Sequence, residues 1–368
     1  MYEGKTVAAV VPAYNEEGHI GGVLDSLPGF VDRAYVVDDG STDGTWAEIR
    51  DRATGDLPSG ERPRPRDGSG SLGTDRWARD IGPERSGTEV VPIRHAENRG
   101  VGAALKTGYR RALEDGLDVT AVVAGDGQTE PDIVERIVAP VAKGRADYAK
   151  GNRLAAGDRD AMPRFRQVGN FTLSLLTKIA SGYWRVMDPQ NGSTAISREA
   201  LADVGIEEMY EDYGYCNDLL VRLNVAGARI ADVPRRAVYE DEESHIRYRS
   251  YIPKVSALLL RDFLWRLREK YLFREAHPLV GLYGLGPATA AWGALRSLRR
   301  RSDGPLLFVL GLFALAGALV LDAGESRHLD TPVRDDRADA TPERVSEAPE
   351  RERERSPAPA VEPPEGGA

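Results

Sequence analysis

Four carboxylates stand just beyond apolar runs of strand length. Glu16 follows Thr6–Pro12, Asp38 and Asp39 follow Ala34–Val37, and Asp126 follows Val119–Ala124. In an open α/β sheet, ligands bind outside the carboxyl ends of the strands. Acids gathered on one such rim repel each other unless a cation or a hydrogen-bonding ligand compensates them. Singly they say little. Asp39-Gly40-Ser41-Thr42-Asp43-Gly44 is an ordinary turn-and-cap string, and Gly125-Asp126-Gly127 an ordinary turn. Their recurrence in order, each after a strand, is the signal. Among the five histidines no pair has metal-ligand spacing.

The elements that must position these acids alternate. A fourth apolar run, Glu89–Ile93, joins the three above, and helix-like stretches Glu17–Leu27, Thr45–Ala53, Gly102–Glu114 and Asp132–Val141 separate them. Continuous apolar strands between helices predict a mostly parallel sheet covered on both faces. Asp43 is placed to cap the helix beginning near Thr45. Residues 56–88, rich in Gly, Pro, Ser and Arg, are expected to be a disordered insertion. Residues 164–235 read as mixed, with a helix over Asp212–Ala226 and a strand over Arg229–Pro234.

Beyond residue 240 the pattern changes. Pro253–Ala276 interleaves Leu258, Leu259, Leu260, Phe263, Leu264, Leu267 and Tyr271 with Arg261, Arg266, Arg268, Lys270 and Arg274. This is an amphipathic basic helix suited to an anionic membrane surface or to an ordinary protein surface. Two apolar stretches follow, Pro278–Leu295 and Pro305–Leu321, joined by the basic linker 296-RSLRRRSDG-304. They predict a transmembrane hairpin, or a re-entrant segment plus a single span. A hairpin places the basic linker outside, against the positive-inside tendency; a single span sends the tail outside instead. The hairpin is preferred because the Arg-rich helix before it is also a cytoplasmic anchor. Residues 322–368, with 13 acidic residues and 7 arginines, are expected to be a disordered tail.

The whole chain has 368 residues and a formal charge of −9. No net basic field exists to attract nucleic acid. The tail carries about two-thirds of that negative charge, so overall acidity says little about the site. The basic residues are nearly all Arg, which a high-salt cytoplasm or GC-rich codon usage would each produce. The single cysteine, Cys216, excludes an intramolecular disulfide framework. Residues 1–12 lack the pattern of a signal peptide, so the bulk of the chain is expected to stay in the cytoplasm.

These motifs in this order resemble the family 2, inverting, GT-A-fold glycosyltransferases, most closely the polyprenyl (dolichyl) phosphate hexose synthases. The resemblance rests on Pro12-Ala13-Tyr14-Asn15-Glu16, Val37 to Thr45, Asn98-Arg99-Gly100-Val101-Gly102-Ala103-Ala104, Gly125-Asp126-Gly127-Gln128, Gly151-Asn152-Arg153 and Asp188-Pro189-Gln190-Asn191-Gly192. It spans about residues 5–240, within an expected catalytic domain over 1–240. The segments 241–276, 277–321 and 322–368 would then be juxtamembrane helix, membrane hairpin and tail.

The resemblance implies a nucleotide-diphosphate sugar donor held by Pro12, Tyr14, Glu16, Asp38 or Asp39, and Lys106. Arg153 and Arg166 would reach phosphate oxygens. Asp126 and Gln128 would bind Mg²⁺ or Mn²⁺. Ala124 stands where relatives often carry a first aspartate, which leaves the metal one carboxylate fewer. A hydroxyl acceptor needs a base, for which the resemblance offers Asp218; a lipid phosphate arrives anionic and needs none. Arg247 and Arg249, just before the amphipathic helix, would grip an acceptor phosphate or lipid headgroups. The expected reaction is hexose transfer to polyprenyl (dolichyl) phosphate at the cytoplasmic membrane face, feeding protein glycosylation. Transfer to a sugar hydroxyl, or nucleotide-sugar binding without turnover, are the alternatives.

Overall fold

The computed structural model describes residues 1–53, 87–127, 129, 131–153, 164–235, 248–273 and 277–332. Gln128, His245, Arg247, nearly all of the 56–88 insertion and the tail beyond 332 lie outside the described residues. Residues Met1–Val333 form one compact unit.

The chain begins β1 (Val7–Ala13), α1 (Ile20–Asp25), β2 (Arg33–Asp38), α2 (Thr45–Asp51), β3 (Glu89–Arg94), α3 (Val101–Glu114), β4 (Val119–Val122) and α4 (Pro131–Ala142). It continues β5 (Tyr148–Asn152), α5 (Arg164–Ser181), β6 (Thr194–Ser197), α6 (Arg198–Asp203), α7 (Tyr215–Ala226) and β7 (Ile230–Pro234). It ends α8 (Tyr248–Arg266), a π-helical stretch Leu267–Phe273, α9 (Leu279–Leu298), α10 (Gly304–Ser326) and β8 (Asp330–Thr331). The strands form one eight-stranded sheet in the order β3-β2-β1-β4-β6-β5-β7-β8. The sheet is mostly parallel, as expected; β6 alone runs against its neighbours β4 and β5.

Strand β1 shows why its sequence is an unbroken apolar run. Val7, Ala9, Val11 and Ala13 enter a core with Ile20 of α1 and Ile133 of α4. The alternate residues Ala8 and Val10 enter a second core with Leu105 of α3 and Leu219 of α7. A period of two thus feeds both faces. Helix α3 lies so close that a methyl group at Gly108 would overlap the Val10 side chain.

Helix α1 is shorter than the expected Glu17–Leu27. Asn15 and Gly18 have positive φ, and the Glu16 carbonyl accepts the His19 and Ile20 amides in a tight entry turn. The strands β5, β6 and β8 were not foreseen.

The C-terminal helices depart further from expectation. Val255, Leu258, Leu259, Asp262 and Arg266 of α8 are buried, with Val255 and Leu259 packed against Ala180 of α5 and Val221 of α7. This face therefore belongs to the protein, and Arg266 is not part of a solvent-facing basic surface. Its guanidinium donates to the Ala180 and Ile179 carbonyls at the end of α5, at 2.8 and 3.0 Å. It also forks onto Asp322 of α10 at 2.9 and 2.7 Å. Tyr271 and Tyr283 donate to the same carboxylate. Both charges are fully buried.

The boundary expected at residue 322 falls inside α10. Residues 322–332 complete α10 and add β8, whose Asp330 and Thr331 pair in parallel with Ile230 and Ala231. A charge that seemed to end the apolar run is an inward-facing partner. Helices α9 and α10 pack antiparallel through small residues. A side chain at Gly293 or Gly311 would overlap the facing backbone at Phe308 or Ala290. Within Gly304–Leu329 an 18-residue stretch has a mean hydropathy of 2.4, and the helix is long and apolar enough to cross a membrane.

Two predictions follow from the packing of α8. Asp322→Ala leaves Arg266 as an uncompensated buried charge, so a loss of about 3–5 kcal/mol is expected in thermal unfolding of the full chain. The paired change Arg266→Met with Asp322→Leu should cost less than either single change. A melting temperature for Asp322→Ala within about 2 °C of wild type would contradict this role.

The second concerns Asp262, which is buried beside Asp218 and whose Oδ2 lacks a hydrogen-bond partner among the described residues. Burial, then the Asp218 charge, push its carboxyl up to about 6. The native state then holds a proton that the unfolded chain has released between about pH 4 and 6. Stability should fall as pH rises across that window, by about 2–3 kcal/mol, and Asp262→Asn should remove that slope in pH-dependent denaturant titrations.

Candidate active site at the carboxyl edge of the parallel strands

Parallel pairing brings the strand ends together. Ala13 is in register with Asp38, and Val10 with both Tyr35 and Val122. Beyond these ladders, Asp39 N–H donates to the Ala13 carbonyl and Val123 N–H to the Val10 carbonyl. Gly125 passes so close that a Cβ there would sit 2.7 Å from the Pro12 carbonyl oxygen. Glu16, Asp38, Asp39 and Asp126 therefore follow neighbouring strands on one rim.

The loops after β1 and β2 are sewn to each other. Asn15, in the left-handed region that asparagine tolerates, accepts the Thr42 amide on Oδ1 at 2.9 Å. Its own amide donates to Ser41 Oγ at 3.0 Å, and the Glu16 amide to Thr45 Oγ1 at 2.7 Å. Asp43 accepts the Thr45 amide and hydroxyl, as a cap would, although Gly44 is the residue at the helix boundary. Tyr14 is exposed, and Pro12 and Glu16 are half-buried.

The adjacent aspartates differ. Asp39 is buried and heavily used. Its carboxylate accepts the Arg99 amide at 3.1 Å, the Gly100 amide at 2.8 Å, and meets His95 Nδ1 at 2.6 Å. Asp38 accepts the Ser41 amide on Oδ1 at 2.9 Å. Its Oδ2 lies 3.1 Å from Arg94 Nε but outside hydrogen-bonding alignment, with no hydrogen-bond donor among the described residues. Asp126 is half-buried just past β4.

On the other side of β4, Arg153 ends the described part of the loop after β5. Its guanidinium forks onto Asp188 at 2.8 and 3.0 Å. Burial works against the ionised Asp188, but the Arg153 hydrogen bonds and charge, with Lys150 behind, hold its carboxyl below the ordinary value. Lys150 is itself buried, and its ammonium donates to the Gly151, Met187 and Asp188 carbonyls. Burial lowers the Lys150 pKa and pushes Asp232, 3.7 Å away, up to about 6. This network fixes the Met187–Asp188 turn, where Asp188 has a φ of 47°. A cavity lined by Arg185, Val186, Ile230, Asp232 and Asp330 lies at the β7–β8 end of the sheet, several strands from Asp38.

Two expected site residues have structural partners. Lys106 is buried on α3 and donates to the Glu207 carbonyl at 2.9 Å and to Glu211 Oε1 at 2.7 Å. It ties the loop before α7 to α3. Asp218 is buried between α7 and α8. It accepts the Tyr210 amide, Arg222 Nε and Arg261 Nη2 at 2.9, 2.8 and 3.2 Å. Arg166 and Arg249 fall within α5 and α8. His95, Arg94 and the Lys150 network were not singled out in sequence; the place of His95 between a β3 run and Asn98-Arg99-Gly100 was the available signal. Among the described residues, no group of three or more His, Cys, Asp or Glu side chains is gathered to hold a metal ion.

The glycosyl transferase family 2 model matches residues 8–64 and 66–205. The chain is 28% identical over 239 residues to the UDP-N-acetylglucosamine–dolichyl-phosphate N-acetylglucosaminyltransferase of Methanococcus voltae, covering 64% of this chain and 87% of that one. It is 26% identical over 236 residues to the undecaprenyl-phosphate mannosyltransferase of Micrococcus luteus, covering 62% and 82%. The solved glucosyl-3-phosphoglycerate synthase of Mycobacterium tuberculosis overlays with a TM-score of 0.46 at 21% identity, over 72% of this chain and 80% of that one. That overlay is too loose to bear on the site. The rim of acids, the strand order and the family match agree: this chain is a glycosyltransferase of GT-A fold and belongs to glycosyl transferase family 2.

Proposed function

We propose that the enzyme transfers a hexose, with inversion, from a nucleotide-diphosphate sugar to a polyprenyl (dolichyl) phosphate at the cytoplasmic face of the cell membrane. The product would feed protein glycosylation. The observation that carries the reading is one compact unit joining an acidic rim at the ends of β1, β2 and β4 to a long apolar helix.

In this reading a phosphate oxygen of the acceptor attacks the anomeric carbon. The bond from that carbon to the donor diphosphate breaks, and the nucleoside diphosphate leaves. The acceptor oxygen is already anionic, so no base is required. This agrees with Asp218, whose oxygens are engaged by Arg222, Arg261 and the Tyr210 amide. Of the two adjacent aspartates, Asp38 is the one to read an N–H edge of the base, because its Oδ2 has no hydrogen-bond donor among the described residues. Arg94 would turn away to admit it. Pro12, Tyr14 and Glu16 would complete the nucleotide side.

The donor chemistry of the rim suits a hard divalent cation. Mg²⁺ is commonly held by one or two carboxylates, with substrate phosphate and water completing the shell. A single carboxylate at position 126 without a protein cage is compatible with that habit. Asp126 and Gln128 would hold Mg²⁺ or Mn²⁺, whose chemistry when bound is to neutralise charge on the departing diphosphate. Arg153 and Arg166 would orient phosphate oxygens, and Arg247 and Arg249 the acceptor phosphate.

The membrane part of the proposal rests on exposure. Leu285 and Trp292 of α9, and Leu306, Phe308, Phe313 and Val320 of α10, are outward-facing and exposed. Phe171 and Leu175 of α5 and Leu260 and Leu264 of α8 are exposed too. Lipid is the natural cover for such surfaces. Because β8 rejoins the sheet, both ends of the α9–α10 pair lie beside the catalytic unit. That favours the hairpin over a single span.

Membranes containing the enzyme, given labelled nucleotide sugars and polyprenyl phosphate, should form a mild-acid-labile labelled lipid. Acid-stable oligosaccharide label would favour a hydroxyl acceptor, and nucleotide-sugar binding without transfer would sink the enzyme reading. Asp126→Asn should lower turnover by about 100-fold or more with an unchanged melting temperature; full activity would remove Asp126 from the mechanism. The buried Cys216 leaves a quiet background for labelling. In sealed right-side-out vesicles, an impermeant maleimide should label Ser302→Cys in the linker and spare Ala338→Cys in the tail; the reverse pattern would mark a single span. Labelling from the same side would refute the hairpin.

A further inference from the structure

We propose that His95 is a positioning residue for the donor nucleotide, acting through Asp39 on the loop that opens α3. The inference rests on the donor-binding reading above, and deepens it by giving the second aspartate a task other than contact with the base.

The chain of contacts is short and buried. His95 Nδ1 lies 2.6 Å from Asp39 Oδ1, and Nε2 lies 2.9 Å from Thr107 Oγ1 on α3. The Thr107 hydroxyl is also 3.0 Å from the Ala103 carbonyl, one turn back in the same helix. An ionised carboxylate can only accept, so Nδ1 carries the hydrogen shared with Asp39. The ring is thus fixed at both nitrogens, between the rim and the first turns of α3.

Asp39 spends its two oxygens on the backbone of the next loop, accepting the Arg99 and Gly100 amides. Gly100 has a φ of 98°, and Gly40, beside Asp39, has a φ of 76°. A Cβ at Gly40 would lie 2.6 Å from the Glu97 carbonyl carbon. The loop over residues 95–100 is therefore pressed onto the turn that carries Asp38. Any nucleotide whose base meets Asp38 has this loop as its neighbour. An Asp39 free to rotate would release two amides at once, whereas a ring hydrogen-bonded on both sides holds it in one rotamer.

The test measures nucleoside diphosphate binding to the full-length, detergent-solubilised enzyme by calorimetry, using UDP and GDP, with the melting temperature recorded for each variant. His95→Leu should weaken binding of whichever diphosphate the wild type takes by about tenfold. His95→Asn, whose amide can still donate to Asp39, should remain within about threefold. Asp39→Asn should match His95→Leu, and the double variant should be no weaker than either single one. Thr107→Val, which removes only the outer contact, should show a smaller loss and serves as the test should His95→Leu fail to fold. Wild-type affinity in a folded His95→Leu, or in Thr107→Val if His95→Leu does not fold, overturns the proposal. Equal losses in His95→Leu and His95→Asn also overturn it. A wild type that binds neither diphosphate removes the donor reading instead.

Discussion

Parallel pairing is the constraint on which the rest depends. Once β1, β2 and β4 run side by side in one direction, their carboxyl ends must share an edge, and so must whatever follows them. The chain uses this three times, placing acids after each of these strands. A cluster of negative charge is costly in isolation. Here backbone amides, Arg94 and His95 surround Asp38 and Asp39.

The charged residues divide into those that face the rim and those that hold it up. Lys106, Asp218 and Asp39 belong to the second group: each satisfies buried backbone or an oppositely charged partner from another element. Arg153 stands between the groups, forked onto Asp188 and about 41% exposed in its side chain. A side chain whose polar atoms are engaged by the scaffold holds its neighbours in place.

Much of this was legible in the sequence, and the failures have physical causes. The strands β1, β2 and β4 stood out because both faces are covered, which makes each a nearly continuous apolar run, whereas β3 at the sheet edge is mostly half-buried. The short strands β6 and β8, of four and two residues, are defined by what they pair with rather than by composition. Ion pairs between distant residues leave no local trace. Arg266 read as part of a basic surface, yet Val255, Leu258, Leu259, Asp262 and Arg266 recur at helical spacing and put it on the buried face. The same holds for Gly304, Gly311, Ala318 and Asp322 on α10, where the small-residue stripe runs into the aspartate. In both cases periodicity outweighed residue type.

Asp330 and Thr331 close the chain back on the sheet edge after the two apolar helices. The helices are therefore an insertion between two points of attachment rather than an appendage on a single stalk. A body tethered at one point can swivel; one tethered at two, and locked by Arg266 to Asp322, keeps a set tilt. In a bilayer the mouth of the enzyme would ride at one height above the lipid plane. On the proposed function, lipid acceptors would then be sorted by the depth at which their phosphate sits.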